Sequence, residues 1–276
     1  MRLRRKTLII IGVTIACIIV ILQAISNIIM LQGVANIEQK STRQNAELVR
    51  DALSHELASL DVIAFDWAAW DDTYAFIQSN CTDYIRSNLV DETFINLGLN
   101  FMLFFNSSDQ VVFGKAFDLI NNREILVPQS FLEHLAANSF LMHHENTESS
   151  INGIVLLPED PFLVVSRPIL TSKQKGPILG TVIVGRFLDS AEMNRLSEIM
   201  HLPLLIQVLH DPLLSSDFQA ANSSLSKEEP VFVQRLNTEV IAGYVLFEDV
   251  YGNPVLIFRF DVPRDFYAQE RANVIY

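Results

Sequence analysis

An uncharged run of 24 residues near the N-terminus constrains this chain more than any other feature. Residues 8–31 carry no charged side chain, and the few polar members are small or neutral. At about 1.5 Å of rise per residue, a helix of this length crosses a hydrocarbon core of about 30 Å with some tilt. The run predicts a transmembrane helix, so the remaining residues must fold on one side of a membrane.

The charges before this run predict its orientation. Arg2, Arg4, Arg5 and Lys6 precede it, and the positive-inside rule places such residues in the cytoplasm. A cleaved signal peptide is the alternative, but the run is longer than the usual apolar region of a signal peptide and no small-residue cleavage pattern follows it. We therefore expect a single-pass anchor in contact with membrane lipid at residues 1–31, and extracytoplasmic residues 32–276.

Beyond the anchor the chain is acidic, with 16 Lys+Arg against 32 Asp+Glu. Such a surface repels nucleic acid and anionic lipid, and no nucleic-acid motif is present. Cys17 lies inside the apolar run and Cys81 stands alone beyond it, so no intrachain disulfide is expected there. For Cys81, burial is favoured over cross-linking of a dimer.

Residues 32–65 predict a stalk helix that continues the membrane helix outward. Their apolar residues recur mostly at helical spacings, apart from a polar gap at 38–45: Val34, Ile37, Leu48, Ala52, Leu53, Leu57 and Leu60. This stripe is expected to pack on the chain's own globular domain. A homodimer through the stalk is the second interpretation.

The next stretch combines tryptophan with aspartate, an unusual pairing because exposed tryptophan and buried unpaired aspartate are both unfavourable. Its prominent members are Asp66, Trp67, Trp70, Asp71, Asp72 and Tyr74. Residues 66–78 predict one helix with an aromatic face.

Two hypotheses account for this helix. The aromatic side chains form a wall for a cation or amine, with Asp71 or Asp72 supplying the countercharge. Alternatively, and favoured, the tryptophans pack the helix on a sheet and the carboxylates pair with Arg167 or Arg186 on strands. An enzyme is not expected, because Asp71 and Asp72 point about 100° apart on a helix and do not flank one bond. Neither a cofactor nor a metal site is predicted.

The rest of the chain alternates strands with a few helices and predicts an α+β fold. Strands are expected at 101–105, 110–113, 154–157, 162–169 and 178–187, and then at 204–209, 231–236, 240–247 and 255–260. Helices are expected at 91–97, 128–137 and 190–200, the last capped by Ser190. Residues 138–152 are expected to form a loop, and residues 211–229 a polar connection. The expected division is an antiparallel first unit over 66–200 and a second, smaller antiparallel unit over 201–276.

Several segments together resemble the CHASE4 domain family. They are Asp66-Trp-Ala-Ala-Trp-Asp-Asp-Thr-Tyr74, Tyr84 and Asn88, Thr93-Phe-Ile-Asn-Leu97, Ser166-Arg-Pro-Ile169, Gly180-Thr-Val-Ile-Val-Gly-Arg186, and Gly252-Asn-Pro-Val-Leu-Ile257 with Val262-Pro-Arg264. The resemblance covers most of residues 40–270 and is carried mainly by the Trp-Asp-Asp block. It implies PAS-like or Cache-like sheets in an extracytoplasmic sensor module.

In that family a second membrane helix leads to a histidine kinase, a cyclic-dinucleotide enzyme or a similar output. Here residues 272–276 lie where that helix would begin to approach, and the given sequence holds no output module. The expected function is a ligand-sensing input domain of a membrane receptor, with an unidentified small-molecule ligand. The alternatives are an anchored binding or adhesion protein without signalling output and, less favoured, a tethered hydrolase.

Overall fold

A single long helix runs from the N-terminus into the folded domain. The computed structural model describes residues 2–158, 160–209, 211 and 214–264. Helix α1 (Arg2–Ala68) has 67 residues, which corresponds to about 100 Å of length. Among the described residues it is the one helix long and apolar enough to cross a membrane, with a mean hydropathy of 2.4 over its most apolar window. The predicted approach to a second membrane helix at 272–276 lies outside the described residues.

The outer part of α1 packs along the domain through one face. Buried residues recur every three or four positions, as one face of a helix requires: Ala35, Glu38, Thr42, Ala46, Val49, Leu53, Leu60, Ala64 and Ala68. The predicted apolar stripe of the stalk is therefore only partly buried. Leu53 and Leu60 pack on the chain's own core, whereas Ile37 and Leu48 are 70% and 53% exposed.

Three short helices follow: α2 (Asp71–Ser79), α3 (Thr82–Asn88) and α4 (Asp91–Leu97). The prediction of α4 is confirmed, and α3 was not predicted. Cys81 is exposed beside the start of α3, so the expectation that it is buried was wrong. The polar segment around it places the thiol at the surface between two helices.

The first sheet has six antiparallel strands in the order β3-β2-β1-β6-β5-β4. The strands are β1 (Phe101–Asn106), β2 (Val111–Asp118), β3 (Arg123–Ile125), β4 (Ile151–Leu156), β5 (Pro161–Pro168) and β6 (Gly180–Phe187). Its central strands are apolar at nearly every position because both faces are covered. Phe104 and Val182 belong to the core that includes α1, and Phe101 and Phe162 to the opposite one.

The helices beside this sheet follow the prediction with two corrections. Helix α5 (Gln129–Ala137) covers the face opposite α1, and a 3₁₀ turn (Ser139–Met142) occupies part of a segment predicted as loop. Helix α6 (Ser190–Met200) has the predicted bounds, but its cap differs from the prediction. Its N-cap is Asp189, not Ser190, because the Asp189 carboxylate accepts a hydrogen bond from the backbone N–H of Glu192.

The second sheet has four antiparallel strands in the order β7-β10-β9-β8. They are β7 (Leu204–Val208), β8 (Val231–Arg235), β9 (Val240–Glu248) and β10 (Pro254–Pro263). Helix α7 (Ser216–Ser224) lies in the segment expected to be a polar connection. Hydrophobic residues of both sheets share one core along α1. The fold is therefore the predicted α+β arrangement, while the division at residue 200 stays a prediction.

Candidate functional site

The Trp-Asp stretch does not form one helix. α1 ends at Ala68, Trp70 has extended φ and ψ of −133° and 130°, and α2 begins at Asp71. The cause is a distant strand end: the Ala68 carbonyl accepts a hydrogen bond of 2.9 Å from the Leu170 N–H, and Ala69 forms a parallel bridge with Leu170. In a continuous helix this carbonyl would accept a hydrogen bond from the N–H four residues later. The prediction of one helix over 66–78 was therefore wrong.

Asp71 and Tyr74 hold the loop between β5 and β6. The Asp71 carboxylate accepts a 2.9 Å hydrogen bond from the Ser172 N–H, and the Ser172 hydroxyl accepts one of 3.0 Å from the Asp71 N–H. The Tyr74 hydroxyl donates to the Pro177 carbonyl at 3.3 Å. This reciprocal arrangement fastens the α1–α2 junction to the loop and gives Asp71 a structural partner.

The aromatic side chains pack α2 and α3 against the first sheet. Trp67 and Trp70 meet edge to face at 5.9 Å, and Trp70 lies 5.8 Å from Tyr84. Phe76 stacks on Tyr84 at 4.5 Å, and the Thr73 and Tyr84 hydroxyls are 2.7 Å apart. Burial, with a contribution from the Asp72 charge, raises the pKa of Tyr84 to about 12. Tyr84 is therefore neutral at physiological pH and acts as a packing group.

Asp66 and Asp72 are exposed, and neither forms an ion pair with another described residue. Asp72 lines a groove of about 490 Å³ between α2 and α3. Phe76, Asp83 and Tyr84 also line it. We call this groove the α2–α3 cleft. Of the predicted ligand wall it contains Asp72, whereas Trp67, Trp70 and Tyr74 are not among its lining residues.

Arg167 and Arg186 do not pair with Asp71 or Asp72, so this pairing hypothesis was wrong. Arg167 binds the Asp61 carboxylate through two nitrogens, with Nε at 2.8 Å from Oδ1. Arg186 places Nη1 2.5 Å from the Glu56 carboxylate. The strands that carry both arginines pack against α1, and Glu56 and Asp61 lie on α1 at that level.

A second arginine joins the Glu56 site. Arg195 Nη2 lies 2.6 Å from both Glu56 and Glu192, and Arg186 also donates from Nε to the Gly98 carbonyl at 2.8 Å. Hydrogen bonds that the Arg195 guanidinium donates to Glu192 and then to Glu56 raise the pKa of Arg195. Two carboxylates and two guanidinium groups thus form one neutralised network between α1, β6 and α6.

This network borders a cleft of about 530 Å³, here called the Arg195 cleft. Its lining combines polar groups with apolar ones, among them Asn96, Gly98, Leu119, Arg186, Glu192 and Arg195. At the rim, Ile95 and Ile120 are 44% and 61% exposed. Arg186 and Arg195 therefore face the cleft and hold α1 at the same time.

Sequence reasoning missed Glu56, Glu192 and Arg195. One signal was present: Glu56 lies between Leu53 and Leu60 on the apolar stripe of the stalk, where a carboxylate needs a partner. The partners themselves come from a strand and a helix 130 and more residues away, and nothing local identifies them.

A long apolar helix leading into two antiparallel sheets, with ion pairs fixing that helix to the first sheet, defines a membrane-anchored sensor domain. The chain belongs to the CHASE4 domain family, whose sequence profile matches residues 52–207. It is 30% identical over 265 residues to the methanogenesis regulatory histidine kinase FilI of Methanothrix harundinacea (strain 6Ac). That alignment covers 96% of this chain and 29% of the kinase, so the chain spans less than a third of that relative.

Solved structures share the fold at low sequence identity. The extracellular domain of the histidine kinase vpHK1S-Z8 has a TM-score of 0.54 at 12% identity, covering 86% of this chain and 98% of that one. A sensory box/GGDEF family protein domain from Vibrio parahaemolyticus has a TM-score of 0.56 at 13%, covering 85% and 99%. The Vibrio cholerae LuxQ periplasmic domain has a TM-score of 0.51 at 14%, covering 80% and 99%. The chain is thus a CHASE4 sensor domain with a candidate membrane anchor.

Proposed function

We propose that this chain senses a small-molecule ligand in the Arg195 cleft and transmits its binding to the membrane through α1. The proposal rests on one observation. Arg186 and Arg195 line the cleft, and both form ion pairs within 2.6 Å with the Glu56 carboxylate of α1. A ligand that bonds to Arg195 competes with Glu56 for the same guanidinium. Ligand binding then weakens the ion pair between Arg195 and Glu56 of α1. The ligand therefore has different affinities for the states with and without this ion pair, as a population shift requires.

In this proposal the N-terminus is cytoplasmic, residues 32–276 are extracytoplasmic, and the first helix contacts membrane lipid. The input is non-catalytic. A kinase or cyclic-dinucleotide output module receives the signal, in line with the name of the histidine kinase relative. An adhesion or binding protein without output would share the fold but would have no use for a change at Glu56.

A thermal-shift panel of small amines and carboxylates on the full chain in detergent tests ligand binding, because a ligand that binds only the folded state stabilises it. Arg195→Gln and Asp72→Asn report on the two clefts separately. We expect a stabilising compound whose effect is lost in Arg195→Gln and kept in Asp72→Asn. The reverse pattern would assign the ligand to the α2–α3 cleft, and no shift with any compound would remove the ligand proposal.

The exposed side of α1 supports a homodimer as the signalling unit. Ile37, Leu48 and Val62 are 70%, 53% and 62% exposed, and their separations of 11 and 14 residues are close to whole numbers of helical turns. They lie on one side of α1, away from the residues buried against the domain. Such a row of apolar side chains fits the same row on a second copy.

Disulfide cross-linking tests both the dimer and the transmission. Leu48→Cys is introduced into a chain carrying Cys17→Ser and Cys81→Ser, and Glu47→Cys on the adjacent position serves as the control. We expect efficient cross-linking at 48, weaker cross-linking at 47, and a change in rate when a stabilising compound is added. Equal cross-linking rates at the two positions would contradict the dimer. A cross-linking rate that is the same with and without the compound would contradict transmission through α1.

A further inference from the structure

The chain beyond the anchor is acidic, but the part of α1 next to the apolar run is not. Lys40 and Arg43 follow that run, and the intervening carboxylate, Glu38, is buried in an ion pair with Arg264. Lys40 and Arg43 are exposed. Among the described residues their side chains form no ion pair.

A third basic residue comes from the second sheet. Arg235 ends β8, is exposed, and lines a groove of about 410 Å³ together with Leu31, Gln32, Ala35 and Asn36 of α1. Like the two basic residues of α1, it forms no ion pair within the part of the chain that the structure describes. The second sheet thus brings a guanidinium group to the first turns beyond the apolar run.

The three cations lie on one side of α1. Gln32, Asn36, Lys40 and Arg43 are separated by four, four and three residues, so they form one row along a helix. Arg235 lies beside the lower end of this row, at the groove with Gln32 and Asn36. We call Arg235, Lys40 and Arg43 the basic collar.

The depth of the collar follows from the helix geometry. Asn36 lies five residues beyond Leu31, which is about 7.5 Å at 1.5 Å per residue. The polar layer on each side of a bilayer is about 5–7 Å thick, so the groove that holds Arg235 lies at headgroup depth. Lys40 and Arg43 start further out, but helical side chains lean toward the N-terminus, which here is the membrane side. Their long side chains reach back toward the interface.

We propose that the basic collar binds the phosphate groups of lipid headgroups, so that the second sheet rests on the outer surface of the membrane. The charges are complementary, and the collar is continuous with the membrane-spanning run of α1. The inference rests on the proposed membrane anchoring, but not on the proposed ligand. It assigns a role to the second sheet: contact with lipid holds β8 and the base of α1 in a fixed relation to the bilayer.

The test uses the full chain in nanodiscs of phosphatidylglycerol mixed with phosphatidylcholine, in phosphatidylcholine alone, and in detergent with added inorganic phosphate. Hydrogen–deuterium exchange is measured in residues 32–43 and in the β8–β9 turn. The test variant is Lys40→Gln/Arg43→Gln/Arg235→Gln. The control is Arg86→Gln/Lys173→Gln/Lys175→Gln, which removes the same charge from exposed sites of the first unit.

We expect exchange to slow at least about fivefold in anionic nanodiscs, because about 1 kcal/mol for one basic residue at an anionic surface corresponds to this factor and the collar has three. The collar variant should lose this protection and the control should keep it. Equal protection in the collar variant would overturn the inference. Equal protection by inorganic phosphate in detergent would also overturn it, because that result would indicate a site for a free anion. Failure of the chain to enter nanodiscs would instead overturn the anchor, and the collar with it.

Discussion

Glu38 and Arg264 are 226 residues apart in the sequence and form a buried ion pair of 2.9 Å. Their side chains are 8% and 4% exposed. Glu38 lies on α1 shortly after the apolar run, and Arg264 directly follows β10, where it also donates to the Asn237 carbonyl at 3.1 Å. The pair therefore joins the first helix to the end of the second sheet.

Removing one partner of this pair should be strongly destabilising. Glu38→Ala removes the buried carboxylate that lies 2.9 Å from Arg264 Nε, and we expect a loss of about 3–5 kcal/mol in the free energy of unfolding. Denaturant unfolding of the full chain in detergent measures it. The control is Glu47→Ala, whose partner Arg50 is 3.2 Å away with both side chains exposed, so its loss should be below about 1 kcal/mol. Similar losses in both variants would contradict the buried role.

The two neighbouring carboxylates of the Trp-Asp stretch should respond differently. Asp71→Ala removes an acceptor from Ser172, and we expect a loss of about 1–2 kcal/mol. Asp72→Ala changes an exposed side chain and should alter stability by no more than about 0.5 kcal/mol. Thermal unfolding of both variants checks this. If Asp72→Ala destabilises as much as Asp71→Ala, the assignment of the structural role to Asp71 alone fails.

Gly180 should not tolerate a side chain. A Cβ at this position in β6 would lie 1.9 Å from the Phe105 carbonyl oxygen on the neighbouring strand. Because backbone atoms must move to relieve this contact, we expect Gly180→Ala to lower the free energy of unfolding by about 1–3 kcal/mol or more. Denaturant unfolding gives the value, and wild-type stability would mean that β1 and β6 are not this close.

The same substitution should have the opposite effect at Gly33. This glycine lies in α1 just beyond the apolar run, and a Cβ there meets no atom within 4 Å. Gly33→Ala should stabilise the local helix by about 0.5–1 kcal/mol, because alanine favours a helix over glycine. Slower hydrogen exchange in residues 30–40 is the expected readout. Unchanged or faster exchange would show that α1 is not an ordinary helix at this point.

His144 should make the fold sensitive to acid. Burial, followed by the Arg167 charge, lowers the pKa of His144 to about 4 from an ordinary value of 6.5. Between pH 6.5 and about 4, the unfolded chain therefore binds a proton that the folded chain does not, so stability falls as the pH falls through this window. Unfolding midpoints at pH 7 and pH 5 should differ less in His144→Gln than in the wild type. A control at the exposed His55, His55→Gln, should keep the wild-type difference.

Local patterns predicted the long helix and most strands, but not the residues that these elements contact. The uncharged run and the apolar strands predicted the long helix and both sheets, because periodicity and burial are properties of neighbouring residues. The break at Ala69 depends instead on Leu170, which lies about 100 residues further along the chain. Likewise, Arg167 and Arg186 were predicted to pair with carboxylates of the Trp-Asp stretch, but their partners are Asp61 and Glu56 on α1. Several acidic residues could pair with each arginine, and only the tertiary packing determines which of them is close enough.

The continuity of α1 has a mechanical consequence. From Arg2 to Ala68 the helix contains no break, so it behaves as a stiff rod without a joint between the first sheet and the bilayer. In the proposed function, a rotation or sliding of this helix at Glu56 therefore reaches the membrane in the same direction and with nearly the same amplitude, without a large rearrangement of the domain. Carboxylates at positions 38, 56 and 61 of this helix are held by arginines from three different strands or strand ends, so any such movement has to break or rearrange these ion pairs.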